Sequence, residues 1–126
     1  EGGTYGLMGT RYDYLEEFQI ANKVLGTVIS TPRPGVAIGD VGARALSVMG
    51  DDMPSVEAMP GVTVERILDE HIVLRTDGTT PLEVGDKFIL LPWYQDLLVD
   101  RWDHYIAVRN GVVEQVLDIP GRGCTQ

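Results

Sequence analysis

At 126 residues and a net charge of -9, the chain is long enough for one ordinary domain with a buried core and too short for two. Its 44% apolar and 23% charged residues are the balance of a soluble globular protein, and its acidity disfavours nucleic acid and anionic membranes, which reward clustered Lys and Arg. A single cysteine, Cys124, excludes an internal disulfide and a cysteine-rich zinc site.

In chain order, residues 1–18 are rich in Gly and Tyr and show no period, and Gly2, Gly3, Gly6 and Gly9 argue against a helix. From Ile20 the pattern turns to β. Val24, Thr27, Val28 and Ile29 predict a strand halted by Thr31-Pro32-Arg33-Pro34-Gly35. Val36-Ala37-Ile38-Gly39-Asp40 predicts a second short strand, and Ala43 to Ser47 reads as a helical turn with Arg44 paired to Asp40. Val62 to Leu68 alternates as a half-buried strand, His71 to Arg75 follows, and Thr76-Asp77-Gly78-Thr79 is a turn. Gly85-Asp86-Lys87 launches a buried strand over Phe88–Leu91, which Pro92 stops. Tyr105–Arg109 and Val112–Leu117 flank Asn110-Gly111, a strong hairpin signal. Many short strands between turns predict a mainly β, closed or nearly closed antiparallel barrel-like domain.

The segment after Leu91 gathers polar and aromatic groups, Trp93-Tyr94-Gln95-Asp96, where a rigid strand holds them while leaving them accessible. Gly3-Thr4-Tyr5, Val24-Leu25-Gly26-Thr27-Val28, Asp40-x-Gly42-x-Arg44-Ala45-Leu46-Ser47, Asp69-Glu70-His71, Val84-Gly85-Asp86, Pro92-x-x-x-Asp96 and Gly121-Arg122-Gly123 follow one another in an order and spacing that resembles the C-terminal domain of the D-threonine aldolase and D-serine dehydratase family. Members of that family are fold-type III pyridoxal-phosphate enzymes. The resemblance implies a lyase part acting on D-amino acids or β-hydroxy amino acids, supplying a pocket wall and a homodimer contact. It also implies a cofactor held by a lysine of a separate (β/α)8 barrel. Lys23 and Lys87 match that lysine in neither setting, so the 126 residues alone are expected to be inactive.

Family resemblance sets the site residues. Where the family has a metal-binding histidine this chain has Tyr94, the intervening cysteine is Gln95, and the aspartate is kept as Asp96. A phenol must lose a proton of pKa about 10 to bind a cation well, so the expectation is a hydrogen-bonding pocket wall, with a divalent ion at Asp96 as the alternative. His71 and Tyr94 are the catalytic candidates, His71 because imidazole exchanges protons near neutral pH. Tyr5, Gln95 and Arg122 are the candidate substrate contacts, Arg122 being flanked by glycines that permit close approach. His104 reads as surface structure beside Asp103 or Asp100.

The expected organisation is a single β-domain over 1–126, the C-terminal part of a larger cytoplasmic enzyme, since the chain starts at Glu1 and carries neither a leader pattern nor an apolar run of membrane length. A stand-alone β-barrel binding module without catalysis is the alternative, and a small metalloenzyme using His71 and Asp96 is a third reading.

Overall fold

The computed structural model describes residues 20–48, 53–92, 95 and 97–124. Among them are eight strands: β1 (Val24–Arg33), β2 (Val36–Gly39), β3 (Ser55–Val56), β4 (Val62–Ile67), β5 (Ile72–Thr76), β6 (Lys87–Leu91), β7 (His104–Arg109) and β8 (Val112–Asp118). A single-turn 3-10 helix, Val99–Arg101, precedes β7. Six strands form one antiparallel sheet in the order β3, β6, β1, β2, β5, β4, and β7 pairs with β8 alone.

Strand β1 is shared between the two halves of the sheet. Val24 to Thr27 pair with Leu90 to Lys87 of β6, and Val28 onward pairs with β2. Two register shifts bend it between those partners. Contact between β3 and β4, the outermost strands, brings the edges together and leaves the barrel nearly closed. Strand β1 halts within Thr31–Gly35, as the sequence predicts, with Arg33 its last residue and a turn at Pro34-Gly35. Pro32 is tolerated within it because beyond Val28, which still exchanges backbone hydrogen bonds with Asp86 and Gly85, only the β2 side of β1 is laddered.

Phe88 is the centre of the core. It sits opposite Gly26 on β1, and a Cβ at Gly26 or at Gly39 of β2 would fall on its ring. Two glycines thus open the space that one buried aromatic fills, while Val24, Val28, Ala37, Ile72, Leu74 and Leu90 pack around it. Val41, Leu46 and Leu98 join this cluster from the loops.

Asn110 and Gly111 both take positive φ, 51° and 76°, as a two-residue hairpin turn requires. One face of the β7–β8 hairpin carries Ile106 opposite Val116 and Val108 opposite Val113, each 56% to 58% exposed. On the other face Tyr105 and Ala107 are half-buried, and burial pushes the Tyr105 phenol up from its ordinary value. None of the helices among the described residues is long and apolar enough to cross a membrane.

In the turn after β5, the Asp77 carboxylate accepts the Thr79 N–H at 2.8 Å, and that bond holds Asp77 below its ordinary 3.8. A depressed carboxylate stabilises the fold above its unfolded pKa and loses that contribution as pH falls through the lower, folded one. In an acid titration followed by NMR, the Thr79 amide is expected to move with a midpoint below 3.8, and Asp77→Asn to abolish the step.

Candidate functional site

Three segments leave the sheet at the same end. Gly39 pairs with Val28 and with Ile72, while Leu90 pairs with Val24. The chain after Gly39, the loop before Ile72 and the chain after Leu91 therefore all open toward the start of β1. This rim holds the loop Leu68–His71, the turn Gly42–Leu46 and Gln95.

Burial of Val41 and Leu46 fixes the turn, whose Ala45 and Leu46 N–H groups both donate to the Gly42 carbonyl at 3.0 Å. It lies against the β4–β5 loop. Ala43 N–H donates to Leu68 O at 2.8 Å, Arg44 N–H to Asp69 O at 3.1 Å, and Arg44 Nε meets Glu70 Oε1 at 2.9 Å. Arg44 therefore pairs with Glu70 and not, as expected, with Asp40. Asp40 is already used by β1, its carboxylate accepting the Thr27 N–H at 2.6 Å. Sequence reasoning confined to one turn had no means of finding a partner on a different hairpin.

His71 stands exposed at the end of this loop, just before the buried Ile72. Gln95, half-buried, accepts from Asn22 Nδ2 at 3.4 Å, and its carbonyl takes the Leu98 N–H at 2.9 Å. Its Nε2 is buried without a partner among the described residues, as is Ser47 Oγ on a side chain 3% exposed. Orphaned polar atoms are uncommon inside proteins and point to a missing acceptor or donor. The sequence carried no signal for Ser47 beyond its place in the turn motif.

Trp102 donates its indole N–H to Ala45 O at 3.0 Å and so ties the base of the β7–β8 hairpin to the rim, a link sequence reasoning missed. Arg122 is bound to Asp103 beside that tryptophan, so it is anchored, whereas the sequence reading left it facing a ligand. His104 meets Asp118 at 3.3 Å across the hairpin, not Asp103 or Asp100, because the two residues are direct cross-strand partners. Tyr5, Tyr94 and Asp96 lie outside the described residues. Among the described residues no three His, Cys, Asp or Glu side chains gather as a metal site, a fact that does not bear on Asp96. Lys23 is paired with Glu57, and Lys87 donates to Thr27 Oγ1 at 2.7 Å.

A family model described as "Putative serine dehydratase domain" matches residues 21–108. The chain is 32% identical to a D-threonine aldolase of an Arthrobacter species, over 98% of its own length and 34% of that protein's. It is 33% identical to 3-hydroxy-D-aspartate aldolase of Paracoccus denitrificans, over 96% and 33%. The crystal structure of D-threonine aldolase from Filomicrobium marinum matches with a TM-score of 0.82 at 30% identity, covering 89% of this chain and 31% of that one. The chain spans about a third of the length of these curated relatives.

Proposed function

The chain belongs to the serine dehydratase domain family, and on that footing we propose that it is the β-domain of a pyridoxal-phosphate-dependent lyase, an aldolase or dehydratase acting on D-amino acids or β-hydroxy amino acids. The observation that carries this reading is the likeness of nearly the whole chain to about a third of two aldolases. The remaining length in such proteins leaves room for a barrel of at least ~200 residues.

The described residues do not fit the cofactor. Both lysines are engaged: Lys23, beside the start of β1, with Glu57, and Lys87, at the end of β6 far from the rim, with Thr27. The cofactor's lysine then lies outside this sequence, and the 126 residues by themselves have no lyase activity. What they supply is a wall of the pocket. Gln95 Nε2, without a partner among the described residues, suits an acceptor such as a substrate carboxylate, and the exposed His71 imidazole suits proton transfer to or from a substrate. On the family resemblance, Tyr94 joins His71 in handling the substrate and Tyr5 contributes to its binding, with a divalent ion at Asp96 as the alternative, while Arg122, tied to Asp103, is left out of this reading. The enzyme is read as cytoplasmic.

The homodimer contact is assigned to the outer face of the β7–β8 hairpin. A lone two-stranded hairpin is marginal in water, and this one turns Ile106, Val108, Val113 and Val116 outward together. Replacing Ile106 by lysine and Val116 by glutamate, an opposite-charge cross-strand pair, is expected to change the stability of the domain by no more than about 1 kcal/mol. The same pair should drive the native enzyme toward monomer in sedimentation. An unchanged dimer would remove the hairpin from the interface.

The functional test is an assay of the native polypeptide purified from its source, supplied with pyridoxal phosphate. D-Threonine should give glycine and acetaldehyde, or D-serine pyruvate and ammonia. Failure to turn over either of these and 3-hydroxy-D-aspartate overturns the lyase reading.

A further inference from the structure

We propose that the Gly42–Leu46 turn is a clamp that sets the position of His71 by holding the Leu68–His71 loop, without touching the histidine itself. Every residue of that loop is exposed, so no burial of its own fixes it. Within the loop, only the Leu68 N–H donation to His71 O, at 2.8 Å, closes the hairpin. A loop held this way opens at low free energy unless something outside it intervenes.

The turn intervenes from the side. Its Ala43 and Arg44 N–H groups take the carbonyls of Leu68 and Asp69 in succession, at 2.8 and 3.1 Å. Gly42 lets the two backbones meet, since a Cβ there would strike the Asp69 carbonyl and the Glu70 backbone. Those are main-chain atoms, which cannot rotate aside as a side chain does. The clamp is rigid in turn because Val41 and Leu46 are in the core and Ala45 O is held by the Trp102 indole. The Arg44–Glu70 pair contributes little by comparison, as its side chains are 74% and 60% exposed. Gly42, Ala43 and Arg44 are therefore positioning residues for His71, acting through backbone geometry.

This inference rests on the reading of His71 as a site residue only for its functional meaning. Its geometry is testable without cofactor or turnover. The chain has two histidines, so His104→Gln leaves a single imidazole signal in the NMR spectrum of the 126-residue chain. In that background Gly42→Ala should displace the His71 ring signal and speed exchange of the Ala43 and Arg44 amides by about tenfold or more, with the β5 amides unchanged. Glu70→Gln should leave the ring signal and both amides close to their original values. An unmoved His71 signal in a folded Gly42→Ala chain overturns the clamp. Should that variant not fold, exchange in the unsubstituted chain decides. Slowed Ala43 and Arg44 amides support the clamp, and amides exchanging at the rate of a free peptide refute it. A lyase assay that fails while these amides are protected refutes the proposed function and leaves the clamp standing.

Discussion

Phe88→Ala is expected to destabilise the chain by about 3–5 kcal/mol, the range for removing a buried aromatic where the surroundings cannot collapse. The reason for the upper part of that range lies in its neighbours. The ring rests over Gly26 and Gly39, which have no side chains to move into the space it leaves. Ile72 and Leu90 are fully buried beside it and already packed on their own strands. Domains of this size are stable by only about 5–15 kcal/mol, so a large part of the total would be lost. Urea unfolding should show a much lower midpoint with an unchanged slope. A loss below about 1 kcal/mol would mean that Phe88 does not organise the core.

Gly39→Ala is the complementary experiment. An added Cβ falls on the Phe88 ring and lies 2.8 Å from Ile72 Cγ2, so a single methyl meets two buried side chains. Overpacking of this kind costs about 1–3 kcal/mol. The effect should depend on the ring. In a Phe88→Leu background the clash with the ring is relieved and only that with Ile72 Cγ2 remains, so the double mutant should be more stable than the sum of the single changes predicts, by about 0.5 kcal/mol or more. Additive losses would show that the glycine serves its backbone and not the aromatic.

The parts of the fold that were legible in the sequence are those whose cause is local. Asn110-Gly111 specifies a hairpin because both positions need positive φ, and β7 and β8 flank it as expected. The alternating Val62–Ile67 and the apolar Phe88–Leu91 carry their strand character in their own side chains. Strand β3, only Ser55 and Val56, has no such signature and exists because β6 offers it an edge. Pro32 falls inside β1 and not after it, since whether a proline ends a strand depends on which side is laddered.

Of the candidate site residues, Tyr5, Tyr94 and Asp96 lie outside the described residues. His71 and Gln95 do come to one end of the barrel. The partners of Arg44, His104 and Arg122 were not readable, because Glu70, Asp118 and Asp103 reach them through tertiary pairing. Gly42, which entered only as a position of the family motif, proved to be a point of close approach between two segments. The family motif supplied the order of these pieces, while the geometry supplied the reason that a glycine stands among them.

The central claim, that these residues are one domain of a larger lyase whose cofactor lysine lies elsewhere, is tested most directly by the intact mass of the native polypeptide after borohydride treatment in its source cells. The account predicts a product well above 13.8 kDa carrying a pyridoxyl group on a lysine other than Lys23 or Lys87. A native product of 13.8 kDa without the group would contradict it and leave a stand-alone β-barrel binding module as the better description.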